Sequence, residues 1–463
     1  MKGARTVRRR VLAAGLAVLA VAGASLAQST GAQAAVPCVG LCAGGEYHAL
    51  DAPRRVFRAP VTHGVVTAVD LLQLQPSSPT PWLPADQTIT SSDVLSVLAT
   101  ITVEAAGMDG YLRAYTGTAV PNASNVNFRK GATVSNLAVL RADTNGRVNV
   151  SMFGSGVTSI VDIDIIGWWS TSSYDALPDV DGDERGARIE GASPPVRLLD
   201  TRRGAAADTP IAPGAILELP IRNAVQFGTS TKVPLLALPG SATVSSVFLN
   251  VTAVKPAGRT ALSVQPEAGA TGTRSSSVAA GAVTANAVAV KIGADGKVRI
   301  RNIGKSAVNV VVDLQSVLRE GADVATTAGR VVPLALPFRV FDTRSAAFGA
   351  VPLGPRQAED WSFAAFSNSV NIGGVPVGAQ SALLGNLTNA GLQRAYPTLP
   401  VTSYLTVYPP AATPPVVSNI NTTEAGAVAN MALVTYGANQ VARVFNYAGY
   451  AHYLLDVYAV VLK

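Results

Sequence analysis

The sequence predicts an all-β protein: three tandem antiparallel β-sandwich or barrel-like repeat domains after a signal peptide. Three observations carry that expectation. A sequence block recurs at a spacing of about 140 residues, apolar stretches alternate with period two, and no stretch of twelve or more residues shows a helical period. Composition agrees. Charged residues make up only 14% of the 463, while 42 Gly and 29 Pro supply turns, a balance too apolar for disorder and suited to turn-rich β structure. A chain of this length has room for about three domains, each able to bury its own core.

The first element is read as an export signal. Lys2, Arg5, Arg8, Arg9 and Arg10 precede the apolar run from Val11 to Ala27, and Ala32-Gln33-Ala34 is a small-x-small cleavage site. The run is short and rich in Ala and Gly for a membrane span. Residues 1–34 are therefore expected to be cleaved, leaving no integral span. Losing those five cations takes the formal net charge from +7 to about +2, which removes any electrostatic case for nucleic acid or an anionic membrane. The expected location is secreted, extracellular or cell-wall associated. In the tail that follows, residues 35–52, Cys38 and Cys42 are placed for a small local disulfide in an oxidising compartment.

Residues 53–170, 195–318 and 338–463 are read as the repeats. The linkers are 171–194 and 319–337, where charged, Gly and Pro residues interrupt the strand pattern. Val196-Arg197-Leu198-Leu199-Asp200-Thr201-Arg202 returns as Phe338-Arg339-Val340-Phe341-Asp342-Thr343-Arg344, and Arg54-Arg55-Val56-Phe57-Arg58 is an eroded copy lacking Asp-Thr. Leu249-Asn250-Val251-Thr252 matches Gly385-Asn386-Leu387-Thr388, with Val97 to Val103 in that place in the first repeat. Steps at Ser135-Asn136, Ala285-Asn286 and Ala429-Asn430 follow, and each repeat closes on an apolar strand carrying Asp164, Asp313 or Asp456. Asn145-Gly146 and Asp295-Gly296 are hairpin pairs, since both residue types tolerate positive φ.

The recurring Asp200-Thr201-Arg202 and Asp342-Thr343-Arg344 admit two readings. The structural one is a corner tie, in which the carboxylate accepts backbone N–H bonds and Arg folds onto a carboxylate such as that of the closing strand. The functional one is a site for sugar hydroxyls or acidic groups. Asn136, Asn286 and Asn430 carry the same pair of readings, an amide satisfying a bulge or turn against a recognition residue. Eight of the twelve tyrosines fall between Tyr396 and Tyr458. Tyr447, Tyr450 and Tyr453 are accordingly candidates for an aromatic surface, with core packing as the preferred reading because alternate strand positions must face inward.

Chemistry finds little support. His48, His63 and His452 fall in unlike contexts, no nucleophile elbow, phosphate loop or zinc spacing occurs, and the acid pairs Asp162/Asp164 and Glu359/Asp360 are adjacent only in sequence. One loop has a ligand pattern. Asp179, Asp181, Asp183 and Glu190 occupy positions 1, 3, 5 and 12 of a calcium loop, but Glu184 replaces the glycine of position 6 and Pro194-Pro195 prevents a following helix. A solvated acidic linker is the preferred reading, calcium the alternative, and no other cofactor is expected.

The V-x-D-T-R start, L-N-V-T strand, Ala-Asn step and closing Asp-strand, with Asp164-Ile165-Ile166-Gly167-Trp168-Trp169 as one such ending, resemble a tandem β-domain repeat of secreted actinobacterial cell-envelope proteins. The first repeat departs from it at Asp-Thr-Arg and the third at the turn Asn439-Gln440. The resemblance implies an extracellular β module of the cell envelope and leaves its ligand open. The expected function is non-catalytic binding or structure at the cell surface, with a cell-wall glycan or envelope protein as partner. The alternatives are a secreted carbohydrate-active hydrolase with a cryptic carboxylate pair, or a structural subunit of a surface assembly.

Overall fold

The computed structural model describes residues 7–11, 44–73, 92–175, 185–203, 209–237, 243–269, 273–321, 326–362, 371–372, 375–393, 402–411, 413–423 and 426–463. The chain is all-β, and six small antiparallel sheets stand in a ring with the outline of a six-bladed propeller. Within each repeat the chain passes back and forth between two of these sheets, so they come in three face-to-face pairs. In the first repeat the inner sheet runs Tyr47–Thr62, Thr158–Ser170, Val94–Glu104, Val134–Leu140, and the outer sheet Val66–Asp70, Arg147–Met152, Gly110–Tyr115, Val126–Phe128. The second repeat repeats this order, with Arg188–Asp200, Asn309–Arg319, Val244–Val254 and Val283–Lys291 inside. The third does so with Val331–Asp342, Tyr450–Leu462, Gln380–Gln393 and Val428–Thr435. Val7–Val11, inside the segment read as the export signal, pairs in parallel with Ala358–Ser362 at the edge of the third outer sheet.

The expectation of three separate domains needs correction. Each sheet pair does bury its own core, such as Ile101, Leu112, Val150 and Ile163 in the first repeat and Leu249, Leu262, Ile300 and Val312 in the second. A fourth core, however, takes Leu98 and Trp169 from the first repeat, Phe248 and Leu318 from the second, and Leu384, Met431 and Tyr458 from the third. The inner sheets are therefore buried on both faces, which is why every residue from Val97 to Val103, Thr100 and Thr102 included, is buried. Strands buried on both sides lose the alternation that marks a half-buried strand. The three repeats form one body around a pseudo-threefold axis.

The linker boundaries shift for a related reason. The second and third repeats open at Arg188 and Val331, inside the segments read as linkers, and the first opens at Tyr47. Each opening strand breaks register twice, first at Ala49/Arg54, Gly191/Val196 and Pro333/Phe338 and again within the Arg block, at Arg55/Phe57, Arg197/Leu199 and Arg339/Phe341. The Pro-containing interruption is a bulge in a strand that continues beyond it, a place where the missing proline N–H costs no ladder bond. The hairpin pairs also differ from expectation: Gly146 and Gly296 take positive φ while Asn145 and Asp295 do not, and in the third repeat Asn439 and Gln440 both do so without glycine.

At one end of the axis the three opening strands meet in a cyclic set of backbone bonds, Tyr47 with Ala187, Ile189 with Gly329, and Val331 with Gly45. Glu46, Arg188 and Arg330 hold equivalent positions there, and all are buried. The Glu46 carboxylate accepts from Arg188 Nε at 2.9 Å and Arg330 Nη2 at 3.2 Å, and Arg330 Nη1 lies 3.1 Å from Asp175. With Arg185 Nη1 at 4.0 Å from Glu46, two anions thus face three arginines at the point where the repeats converge. Around them, Ser170 Oγ donates to Asp175 and lies 3.2 Å from His48 Nε2.

Burial, with a smaller push from the Glu46 charge, raises the Asp175 carboxyl to about 6 against the pull of Ser170 and Arg330. Burial also lowers His48 to about 4. Because the folded pKa of Asp175 lies above its unfolded value near ~3.9, the stability it contributes is present below that value and is lost as pH rises through about 6. The depressed His48 has the opposite sign, contributing above its unfolded value of ~6.5 and losing it as pH falls through about 4. The expected result is a wild-type Tm that changes little across this window. The Asp175→Asn variant should show a Tm rising with pH there, and His48→Gln one that falls. Scanning calorimetry across the window checks the three slopes, and parallel slopes in both variants would contradict the assignment.

Candidate functional site

The Asp-Thr-Arg blocks sit where neighbouring repeats touch. In each copy the leading arginine, not the last one, reaches the closing strand: Arg197 Nε to Asp313 at 2.8 Å, Arg339 Nε to Asp456 at 2.8 Å and Arg55 Nε to Asp164 at 2.8 Å. Arg202 and Arg344 instead fold onto Asp200 and Asp342 of their own block, through Nε at 2.8 Å in both cases. Burial favours the protonated acids, but these guanidinium bonds outweigh it and hold Asp200 and Asp342 below the usual carboxylate range. Thr201 and Thr343 are buried ties, each accepting at 2.9 Å from a closing-strand N–H, of Val310 and Tyr453 respectively.

The closing-strand acids also join the repeats. Asp313 accepts from the Ser418 N–H at 3.1 Å, crossing from the second repeat to the third, and Asp456 accepts from the Ser124 N–H at 3.0 Å, crossing from the third to the first. The asparagines complete each joint. Asn430 Nδ2 donates to Asn250 Oδ1 at 2.8 Å and Asn136 Nδ2 to Asn386 Oδ1 at 2.8 Å. In the first repeat Thr100 stands opposite Asp164 where Asn250 and Asn386 stand opposite Asp313 and Asp456. Asn286 therefore reaches the Ser135 carbonyl instead, at 2.6 Å. All three asparagines of the Ala-Asn and Ser-Asn steps are buried at joints, which removes them as ligand contacts and makes the recurring L-N-V-T and Ala-Asn motifs the means by which one repeat grips the next.

Two grooves open beside these joints. One, of about 320 Å³, is lined by Arg339, Arg344 and Thr388 of the third repeat and by Tyr111, Arg113 and Asn127 of the first. The other, of about 150 Å³, is lined by Arg197, Arg202 and Thr252 of the second repeat and by Tyr404, Ser418 and Asn421 of the third. Tyr111 stacks on Phe153 with centroids 5.2 Å apart, and Tyr404 on Tyr447 at 4.7 Å. An arginine lies on each pair, Arg113 at 4.9 Å from the Tyr111 ring and Arg356 at 4.3 Å from that of Tyr447.

The third joint, from the first repeat to the second, is built differently. Ala261 pairs with Ser277 and precedes Leu262, as Tyr111 and Tyr404 precede Leu112 and Leu405, so no aromatic pair forms there among the described residues. Arg58 replaces the block aspartate and holds Asp162 at 2.7 Å and Glu104 at 2.9 Å, and Arg274 of the second repeat comes to 4.0 Å from Glu104. This joint is filled by mutually neutralised charge.

The remaining candidates fall in different places. Tyr453, a candidate for the aromatic surface, is buried, accepting from Trp361 Nε1 at 2.7 Å and donating to Glu359. An apolar core can take a tyrosine whose hydroxyl finds such partners. Tyr447 and Tyr450 are exposed. Glu190 lies in the opening strand of the second repeat and pairs with Arg319 at 2.8 Å, so it does not belong to a loop with the calcium-site aspartates. Asp179, Asp181, Asp183, Cys38 and Cys42 lie outside the described residues. The acids weighed for glycoside hydrolysis have partners already: Asp162 and Asp164 in Arg58 and Arg55, Asp360 in Arg443, Glu359 in Tyr453. Sequence reasoning missed Tyr111, Arg113, Tyr404 and Arg356, whose only signal was the shared Tyr-Leu of Gly110–Tyr115 and Thr402–Tyr408.

No family model matches the chain, and no curated protein matches it. Among solved structures, a chain of Broad Bean Stain Virus is similar at 8% identity over 60% of this chain and 90% of its own, with a TM-score of 0.17. A chain of Sulfolobus Turreted Icosahedral Virus is similar at 9% identity over 90% of this chain and 91% of its own, with a TM-score of 0.16. The CBM22-1-CBM22-2 tandem domain of Xyn10C from Paenibacillus barcinonensis is similar at 11% identity over 58% of this chain and 98% of its own, with a TM-score of 0.14. None of the three shares enough of its backbone course with this chain to carry a functional inference. Among the described residues no helix is long and apolar enough to cross a membrane, and no cluster of His, Cys, Asp or Glu is grouped to hold a metal.

Proposed function

We propose that this chain is a secreted, non-catalytic binding protein of the cell surface, of the actinobacterial envelope-repeat type, and that it recognises a cell-wall glycan. The observation that supports the reading is the pair of grooves at corresponding joints, each lined by one ring of a stacked aromatic pair together with arginines and an amide. Aromatic faces pack against the C–H faces of sugars, and fixed polar groups at the rim select among hydroxyls. The acids at the joints are already engaged by arginines, a state suited to holding structure and unsuited to proton transfer.

The test is co-sedimentation of the mature protein with purified cell-wall polysaccharide. The double variant Phe153→Ser/Tyr447→Ser changes two exposed rings and should alter stability by less than about 0.5 kcal/mol. It should remain in the supernatant at concentrations where the wild type pellets. Equal sedimentation of the two proteins would defeat the groove assignment.

A further inference from the structure

We infer that the two grooves take a carboxylate-bearing saccharide, two per chain, and that the third joint is a silenced copy of the same site. The inference rests on the glycan-binding reading and deepens it. It stands on the charge balance and on two orphaned hydroxyls. In each groove the block arginines are matched one to one by carboxylates, Arg339 by Asp456 and Arg344 by Asp342, Arg197 by Asp313 and Arg202 by Asp200. Arg113 and Arg356 have no carboxylate within ion-pair distance among the described residues, and the Nε of Arg113 is buried without a hydrogen-bond partner. The first groove thus carries an unmatched guanidinium at its aromatic wall, and beside the second one lies on the ring stacked on the lining Tyr404, an arrangement that favours an anion attached to a ring over a neutral sugar.

The hydroxyls make the same point independently. Thr252 and Thr388 line the two grooves at equivalent positions, and the hydroxyl of each is buried with no partner. A buried unsatisfied hydroxyl costs folding free energy, so a native one calls for an explanation such as a ligand atom. Register shows how the third joint dispenses with one. Thr252 and Thr388 face Ala285 and Ala429 across the ladder, whereas Thr102 faces Ser135 and meets its hydroxyl at 2.8 Å. The joint that has lost the aromatic pair and neutralised its arginines has also satisfied its threonine.

Calorimetric titration of the mature protein with tetragalacturonate and a hyaluronan tetrasaccharide, and with the methyl ester of the first, tests the inference. The carboxylated probes should bind at two per chain and weaken as salt rises, and the ester should bind about tenfold less tightly. Arg113→Gln and Arg356→Gln should each reduce the stoichiometry from two to one. Thr252→Val and Thr388→Val should weaken one site apiece while leaving Tm unchanged or raised, which a purely structural threonine would not do. An ester that binds as tightly as the acid overturns the inference while leaving glycan binding intact. Failure of both acids by a protein that still pellets with cell-wall polysaccharide overturns it too, and loss of that sedimentation removes the glycan reading itself.

Discussion

Replacing Glu46 by Ala is expected to be among the most damaging single changes in the molecule, costing about 3–5 kcal/mol. Arg188 and Arg330 share its carboxylate and are both buried where the three repeats converge. Removing the anion leaves two buried guanidinium groups, and the less buried Arg185 beside them, with only Asp175 to offset them, and the cost of an uncompensated buried charge exceeds the worth of the pair that is broken. Because the position belongs to all three opening strands, the loss should appear in urea titrations as destabilisation of the whole body, with no single repeat melting first. Glu190→Ala is the control. It breaks a bond of similar length to Arg319, but at an exposed site, and should cost less than about 1 kcal/mol. Equal losses for the two variants would show that the axial cluster is solvated in a way its burial does not suggest.

The second large effect is expected at the closing-strand acids, where one substitution can be made three times in nearly the same setting. Asp456→Ala removes the partner of Arg339 and the acceptor for the Ser124 N–H, and Asp313→Ala does the same to Arg197 and Ser418. Both should cost about 3–5 kcal/mol and open the joint that the acid bridges. Limited proteolysis should then cut near that joint before any other. Asp164→Ala should cost less, about 1–2 kcal/mol. Arg55 is more exposed than its counterparts, it has Asp162 at 3.7 Å to fall back on, and Asp164 makes no bond across to the second repeat among the described residues. Three equal losses would mean that the bonds between repeats contribute nothing.

How far the sequence went can be seen in these residues. The recurrence of Asp164, Asp313 and Asp456 on closing strands, of the Asn steps, and of the block around Arg55, Arg197 and Arg339 was legible because copied units keep their landmarks in order, and strand periodicity needs only local sequence. The all-β class and the repeat count of the strand pattern follow from that alone. The eroded first copy was legible too, although its meaning was not: Arg58 standing for Asp200 makes sense only once Asp162 is seen opposite it, where the other repeats have Val311 and Leu454.

What only the tertiary structure decided is everything that depends on one repeat meeting another. Leu98, Phe248 and Leu384 look like ordinary strand residues until their second buried face is found in a shared core. Asn136 and Asn386 are 250 residues apart and bond side chain to side chain, and no local pattern encodes such a pairing. The grooves have the same origin, since Arg344 belongs to one repeat and Tyr111 to its neighbour. Sequence periodicity reports which face of a strand is apolar. Which surfaces those faces close against, and which polar groups are left between them, is fixed by packing geometry around the axis.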